Sequence, residues 1–324
     1  MAATWLVTGG AGFIGSNLVR GILDRGRTVR VLDDFSTGFR ENLAEVADRV
    51  DVVEGDVRDA ATCRRACQGV EVVFHEAAIP SVPRSVEEPQ ESFEANTVGT
   101  HNVLMAARGA GVQRVIFAGS SAVYGESEAL PKRETMPMAP VSPYAAAKAA
   151  GELYLATFAR AYGLETVTLR YFNVFGPRQD PTNPYAGVIA AFASRMLRGR
   201  PPVIFGDGTQ SRDFVHVDNV VHANLLATEA DADAARGEAV NVGCGTRVDL
   251  NTMVGVFNEV LGTSFEPVYQ PPRPGDVMHS MADITAARRL LGYEPVADFR
   301  DGLARTLGWY RWALETGYGG WAGR

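Results

Sequence analysis

The chain has 324 residues, 46% of them hydrophobic and 21% charged, so it can form one large domain or two smaller ones and has the composition of an ordinary soluble protein. Its net charge of −7 argues against a nucleic acid or an anionic membrane as partner. The cysteines, Cys63, Cys67 and Cys244, lack metal-type spacing and fit a reducing, cytoplasmic compartment, so we expect neither a metal site nor disulfides. We also expect no signal peptide and no membrane span.

A glycine-rich turn follows the first predicted strand. Thr4–Thr8 is apolar enough for a buried strand, residues 16–25 have a helical pattern, and Gly9, Gly12 and Gly15 lie between them. Gly9 permits a tight turn, Gly12 lets the backbone approach a pyrophosphate, and Gly15 lets helix and strand pack closely. The helix N-terminus would present free N–H groups to the phosphates. This strand–turn–helix context predicts a dinucleotide-binding turn.

The ends of the next three predicted strands supply further cofactor candidates. The strand over residues 28–32 ends at Asp33, where a carboxylate can accept hydrogen bonds from ribose hydroxyls and repel a 2′-phosphate, which favours NAD over NADP. A third strand is predicted over residues 50–55 and a fourth over residues 71–74. The residues that follow them are candidates for an adenine pocket and for close passage of the cofactor: Asp56 and Val57, then Ala77 and Ala78.

Two serines follow the fifth predicted strand. Residues 83–91 are expected to form a charged, proline-bearing connection, and residues 93–109 a long helix. A fifth strand over residues 112–118 leads to Ser120 and Ser121. Doubly wound sheets bind ligands at the carboxyl ends of their strands, so the two serines are placed at a site.

Tyr144 and Lys148 lie four residues apart on the next predicted helix, which puts both side chains on one face. An ammonium beside a phenol favours the phenolate, so we expect the pKa of Tyr144 to fall below its usual value of about 10. A hydroxyl from Ser120 or Ser121 would pass a substrate proton to it. Such a trio suits removal of a proton from an alcohol while a hydride leaves the same carbon.

A sixth strand over residues 164–170 completes the predicted sheet. Six strands that alternate with helices predict an α/β fold with a doubly wound parallel sheet and right-handed crossovers. From about residue 177 the pattern changes to more proline and glycine, shorter strands and arginine-bearing loops.

Motifs spread over nearly the whole chain resemble those of one family. The segments are the Gly9/Gly12/Gly15 turn, Asp33, Ser120-Ser121, Tyr144-x-x-x-Lys148, Arg170-Tyr171-Phe172-Asn173, Arg212-Asp213-Phe214 and Arg273-Pro274-Gly275-Asp276. In this order they resemble the extended short-chain dehydrogenases/reductases of the NAD-dependent epimerase/dehydratase family, and among these the UDP-hexose 4-epimerases. The last three segments are the more specific to nucleotide-sugar enzymes.

The resemblance implies a Rossmann-type, NAD-binding domain over residues 1–176, to which later segments return. Residues 177–324 would form mainly a smaller C-terminal α/β domain that binds the UDP-sugar. Within it, short strands are expected near the uracil pocket at residues 203–206 and 239–243. Helices 96–109 and 142–162 would form a homodimer interface, with which Ala145, Ala149 and Leu153 are consistent.

The resemblance also assigns roles to residues. The cofactor-binding set is Gly9, Gly12, Phe13, Ile14, Gly15, Asp33, Asp34, Asp56, Val57, Ala77, Ala78, Asn96, Tyr144, Lys148 and Tyr171. The substrate-binding set is Ser81, Ser120, Tyr144, Asn173, Arg212, Arg273, Asp276 and Ser280. Asn173 and the two arginines would hold the diphosphate, which suits guanidinium forks, and Asp276 the uridine ribose.

The reaction implied is a 4-epimerisation. Tyr144 takes the sugar 4-hydroxyl proton, directly or through Ser120 or Ser121, and the C4 hydride passes to NAD. The 4-keto sugar then turns over while its diphosphate stays bound, and the hydride returns to the opposite face. Lys148 holds the nicotinamide ribose and lowers the pKa of the tyrosine.

Two departures from related enzymes refine the expected sugar. The 4,6-dehydratases carry an acidic pair where this chain has Ser121 and Ala122, so dehydration is disfavoured. Glucose-type epimerases carry a bulky residue where this chain has Ser280, and residues 79–82 look like the N-acetylhexosamine type. We therefore expect UDP-N-acetylglucosamine and UDP-N-acetylgalactosamine as substrates, together with UDP-glucose and UDP-galactose. Pocket size discriminates by only about 1–3 kcal/mol per group, which favours relaxed specificity.

Three other hypotheses remain at this point. A UDP-glucuronate 4-epimerase would need a cation for the sugar carboxylate, which Arg84 or Arg178 could supply. A net oxidoreductase would release NADH. A non-catalytic NAD-binding scaffold would turn over no UDP-sugar at all.

Overall fold

The computed structural model describes residues 3–180, 187–272 and 277–319, in which strands and helices alternate. The strands are β1 Thr4–Thr8, β2 Thr28–Asp33, β3 Val50–Glu54, β4 Val70–His75, β5 Arg114–Ser120, β6 Glu165–Tyr171, β7 Val174–Phe175, β8 Val203–Phe205, β9 Ser211–Arg212, β10 Val215–His216, β11 Glu238–Val242, β12 Val248–Asp249 and β13 Val268–Gln270. The helices are α1 Phe13–Asp24, α2 Glu41–Ala44, α3 Ala60–Cys67, α4 Val82–Glu87, α5 Pro89–Phe93, α6 Gly99–Ala110, α7 Pro143–Tyr162, α8 Val188–Met196, α9 Val217–Glu229, α10 Ala232–Ala235, α11 Leu250–Leu261, α12 Thr285–Leu291 and α13 Phe299–Thr316.

The central sheet is parallel and seven-stranded, in the order β11-β6-β5-β4-β1-β2-β3. This confirms the predicted doubly wound α/β fold. The strand order reverses between β1 and β4, and such a reversal opens a crevice at the carboxyl ends of the strands. That edge carries the glycine turn after β1, Asp33 at the end of β2, and Ser120 at the end of β5.

Two sequence-based placements were wrong. Residues 239–243 were expected near the uracil pocket, but β11 is the seventh strand of the main sheet, because its fully buried Val240 and Val242 pack beside β6. Residues 83–91 were expected to be a connection but contain α4 and most of α5. The Ser81 hydroxyl caps α4 by accepting the Arg84 N–H at 3.1 Å, and each helix has a proline in its first turn, where a missing N–H is harmless.

Helices cover both faces of the sheet. On one face α3, α6 and α7 pack through Cys63, Leu104 and Phe158, and on the other α1 packs against α9 through residues such as Leu18 and Val220. A separate apolar cluster joins α8, α11 and α13 in the later half of the chain. None of the helices in the described ranges has the length and apolar character that crossing a bilayer requires.

A buried ion pair ties α7, the helix that carries Tyr144 and Lys148, to the sheet. Arg170 of β6 donates from Nε to Glu152 of α7 at 2.9 Å, and both side chains are at least nine-tenths buried. The same guanidinium donates to the Tyr124 hydroxyl at 2.7 Å, and Tyr124 donates to Asn241 of β11 at 2.6 Å. The network therefore fixes α7 relative to β6 and β11.

We expect Glu152→Ala to lower the free energy of unfolding by about 3–5 kcal/mol, because it leaves the Arg170 charge buried without its carboxylate. Urea unfolding of the purified variant measures this. The matched control is Glu259→Ala, which removes a carboxylate that is 62% exposed and lies 3.4 Å from Arg300. This control should cost less than about 1 kcal/mol. Equal losses in the two variants would contradict the assigned role of the buried pair.

Candidate active site

The carboxyl ends of the central strands open into a cavity of about 770 Å³. Most of the residues predicted from the sequence line it: Gly9, Gly12, Phe13, Ile14, Gly15, Asp33, Asp34, Asp56, Val57, Ala77, Ala78, Ser81, Ser120, Ser121, Tyr144, Lys148, Tyr171, Asn173, Arg212 and Ser280. The fold thus brings the candidate cofactor and substrate residues to one place.

One described candidate, Asn96, is not among the lining residues. Asn96 is 1% exposed and lies behind the wall, where its amide both accepts from the Ile79 N–H at 2.8 Å and donates to the Ile79 carbonyl at 3.2 Å. It therefore positions the segment after β4, and direct contact with a cofactor stays a prediction. Arg273 and Asp276 lie outside the described residues.

The glycine turn leaves room that side chains would fill. Gly9 has φ +69°, and a Cβ there would lie 2.7 Å from the Ala77 nitrogen. A Cβ on Gly15 would lie 2.1 Å from the Gly9 carbonyl oxygen. Gly12 caps α1 without a side chain, so the first N–H groups of the helix stand open toward the cavity. This is a cradle of the kind that a dinucleotide pyrophosphate fills.

Asp33 is held at the end of β2 by the backbone. Its two carboxylate oxygens accept the Ala11 and Phe35 N–H groups, each at 2.8 Å. Burial raises the pKa of Asp33, and these two hydrogen bonds oppose the rise. A carboxylate has capacity for further hydrogen bonds beyond these two, so Asp33 fits a ribose diol.

Tyr144, Lys148 and Ser120 meet at the centre of the cavity. Ser120 lines the cavity together with Tyr144, and its hydroxyl lowers the pKa of the Tyr144 phenol. Lys148 donates from Nζ to the Ala118 carbonyl at 2.8 Å, and its Nζ lies 6.0 Å from the centre of the Tyr144 ring. Because Ser120 acts on the phenol in this way, it is the better placed of the two serines to relay a proton.

The predicted fall in the pKa of Tyr144 was wrong for this structure. Burial raises the pKa of Tyr144 above its usual value, and the Ser120 hydrogen bond opposes the rise. Burial likewise lowers the pKa of Lys148. The loss of water around both groups disfavours their charged forms. This loss therefore has a larger effect on their pKa values than the closeness of the ammonium to the phenol.

Glu76 is a site residue that the sequence interpretation missed. It lines the cavity directly after β4 and accepts a hydrogen bond from the Tyr171 hydroxyl at 2.7 Å. Burial raises the pKa of Glu76, while Tyr171 and Lys148 lower it. An acidic residue among small ones at the end of a central strand, as in His75-Glu76-Ala77-Ala78, was the available signal.

The opposite wall of the cavity is built by two short segments that pair with each other. The Ser280 N–H donates to the Ser211 carbonyl at 3.0 Å, and the Asp213 N–H donates to the Ser280 carbonyl at 2.9 Å. Arg212 lies between them and donates to the Ser211 and Met278 carbonyls at 3.0 and 3.1 Å. Asn173 donates to the Asp213 carbonyl at 3.2 Å, so Arg212, Ser280 and Asn173 share one framework.

The Epimerase family model, described as the NAD dependent epimerase/dehydratase family, matches residues 5–243. The chain belongs to this family.

Three relatives illustrate the similarity. The chain is 43% identical over 310 residues to the UDP-glucose 4-epimerase of Mycolicibacterium smegmatis, covering 94% of this chain and 98% of that one. The structure of UDP-N-acetylglucosamine 4-epimerase from Methanobrevibacter ruminantium in complex with UDP-N-acetylmuramic acid superposes with a TM-score of 0.90 at 40% identity, covering 96% of this chain and 99% of that one. UDP-glucose 4-epimerase of Thermotoga maritima with UDP-glucose gives a TM-score of 0.90 at 42% identity, with the same coverage.

We expect Gly15→Ala to abolish cofactor binding, because the new Cβ would overlap the Gly9 carbonyl and force the turn apart. The measurement is the NAD content of the purified variant, by acid extraction. Gly109→Ala is the matched control, since a Cβ there meets nothing within 4 Å and alanine suits the helix. Retention of full NAD by Gly15→Ala would refute the assigned close approach.

Proposed function

We propose that the chain interconverts the 4-epimers of a UDP-hexose with NAD as cofactor. The observation that carries the proposal is the convergence of the glycine cradle, Ser120, Tyr144, Lys148 and the Arg212 wall on one cavity. The glycine cradle and Asp33 fit the cofactor, and NAD when bound supplies the hydride acceptor.

Tyr144 is the proposed base and acid. As the phenolate, it takes the sugar 4-hydroxyl proton through Ser120, or directly, and as the phenol it returns that proton when the other epimer forms. A protonated Lys148 would favour the phenolate at the moment of proton removal, even though burial of the site disfavours it. Ser121 lines the same cavity, but Ser120 is the serine that lowers the pKa of the Tyr144 phenol, so we assign the relay to Ser120.

The diphosphate is assigned to the wall of Asn173 and Arg212. Both line the cavity, and a guanidinium matches phosphate oxygens in charge and geometry. Holding the diphosphate while the 4-keto sugar turns over lets both faces of C4 meet the same catalytic groups. Arg273 and Asp276 are proposed to complete the nucleotide contacts.

The glucuronate alternative loses one of its two candidate cations. Arg84 lines the cavity, but its guanidinium donates three hydrogen bonds to Glu91, at 2.7–3.1 Å. Arg178 also lines the cavity and donates to Asn17 and Glu45, but its Nε is buried without a hydrogen-bond partner among the described residues. Arg178 therefore stays the candidate cation for a sugar carboxylate.

The function is tested by incubating the purified protein, with no added NAD, with UDP-N-acetylglucosamine and separately with UDP-glucose, and following the 4-epimers by NMR. We expect both to interconvert, because retained NAD is regenerated in every cycle. Tyr144→Phe is the matched variant and should lower kcat by about 10²–10⁴ while keeping its NAD. Net accumulation of a keto sugar with NADH would indicate an oxidoreductase, and no turnover with retained NAD would indicate a scaffold.

We also propose a homodimer that uses the outer face of α6 and α7. Met105 is 45% exposed, Leu153 57% and Tyr162 50%, so the two adjacent helices present an apolar surface. Ala145 and Ala149 are buried within the protomer and do not contribute to it. A cytoplasmic location is proposed from the three free thiols, Cys63, Cys67 and Cys244.

Leu153→Glu should convert the dimer to a monomer, because it places a charge in the apolar centre of the proposed interface. Sedimentation equilibrium gives the mass directly. Val296→Glu is the control, since Val296 is equally exposed, at 59%, but lies away from α6 and α7. A wild-type protein that sediments as a monomer would overturn the dimer.

A further inference from the structure

Ala11 lies inside the glycine turn, is fully buried, and is held through both of its backbone polar groups. Its N–H donates to the Asp33 carboxylate at 2.8 Å. Its carbonyl accepts the side-chain N–H of Asn42 at 2.8 Å and the backbone N–H of Phe39 at 3.1 Å. Because Gly12 and the open end of α1 follow directly, the position of the cradle depends on these hydrogen bonds.

Asn42 of α2 is 1% exposed, and each part of it is hydrogen bonded. Its backbone N–H donates to the Phe39 carbonyl at 3.0 Å, and its backbone carbonyl accepts from Arg20 of α1 at 2.8 Å. Its side-chain oxygen accepts from the Tyr318 hydroxyl at 2.8 Å. The Ala11 carbonyl needs a donor, so the amide nitrogen has to face Ala11 and the amide oxygen Tyr318. The Tyr318 hydroxyl therefore supports the amide orientation on which the turn relies.

Tyr318 reaches α2 from the far end of the chain. Helix α13 ends at Gly317, whose φ of +69° turns the backbone. The Tyr318 ring then lies against two tryptophans of that helix, with ring centres 5.4 Å from Trp309 and 5.3 Å from Trp312. It also packs against the apolar cluster of α8, α11 and α13. The hydrogen bond between Tyr318 and Asn42 thus joins the later half of the chain to the cofactor turn.

We propose that Tyr318 is a positioning residue for the cofactor: through Asn42, its hydroxyl holds the glycine turn in the form that retains NAD. The inference rests on the cofactor assignment within the proposed function and not on the identity of the sugar. An enzyme that regenerates NAD in every cycle has to keep it bound between turnovers. A turn that is supported from a distant segment suits that need.

The test compares Tyr318→Phe with the wild type in two measurements on the purified full chain. Replacement of bound NAD by carbon-14-labelled NAD gives the rate of cofactor release. Hydrogen–deuterium exchange of the peptide over residues 9–17 reports how often the turn opens. Tyr269→Phe is the matched control, because the Tyr269 hydroxyl also donates to an asparagine oxygen, that of Asn251, at 2.9 Å, and neither residue lines the cavity.

We expect Tyr318→Phe to release NAD about 3- to 10-fold faster and to raise exchange in the turn, because the buried Asn42 oxygen loses its donor. Tyr269→Phe should change neither quantity. Asn42→Ala removes the residue through which Tyr318 acts. Adding Tyr318→Phe to Asn42→Ala should therefore bring no further increase in NAD release, which a general structural role would not produce.

Unchanged NAD release in Tyr318→Phe would overturn the proposal, as would additive effects in the double variant. Faster hydrogen exchange spread evenly over the protein would also overturn it, because that is the sign of a general loss of stability. If the wild type retains NAD but turns over no UDP-sugar, both measurements still decide the role of Tyr318, and the failure belongs to the proposed function. A wild type that binds no NAD would refute this proposal together with the cofactor assignment.

Discussion

Removal of water from the carboxyl edge of the sheet is the condition on which the rest of the site depends. Lys148 is 3% exposed, Tyr144 and Glu76 are partly buried, and the loss of water is the largest effect on the pKa of each. In such surroundings an uncompensated charge is costly, so the charged state of each group depends on its neighbours. This requires the helix and strands that carry them to keep their positions, and the ion pair between Arg170 of β6 and Glu152 of α7 ties two of these elements together.

The same principle organises the substrate wall. Asp213 is completely buried, and burial raises its pKa to about 6. Hydrogen bonds from the N–H groups of Cys244, Ala282 and Gly245 stabilise the carboxylate and oppose this rise. Through these bonds one side chain joins three segments that are distant in sequence. Arg212 precedes Asp213 directly, so its position toward the cavity follows from that anchor. The position of Arg212, which the sequence motif singles out, thus depends on the buried hydrogen bonds of the neighbouring Asp213.

The features that the sequence predicted well are local ones. The Gly9 turn, Asp33 at a strand end and the Tyr144–Lys148 spacing are each contained in one strand–turn–helix unit. The strands are parallel, so these features all lie at the carboxyl edge of the sheet. Pairing of β11 with β6 and enclosure of Glu76 depend on contacts made across the chain, and no local pattern encodes them. The pKa of Tyr144 was mispredicted for a related reason, since spacing reveals a neighbouring ammonium but not how much water the fold removes.

The proposed substrate breadth rests on how the cavity wall at Ser280 is built. The backbone of Ser280 is fixed on both sides, through Ser211 and Asp213, so the width of the pocket there depends on the side chain rather than on loop movement. Serine is small, and room for one additional group changes transition-state binding by only about 1–3 kcal/mol. A fixed backbone with a small side chain can admit the larger N-acetylated sugar without rejecting the smaller hexose.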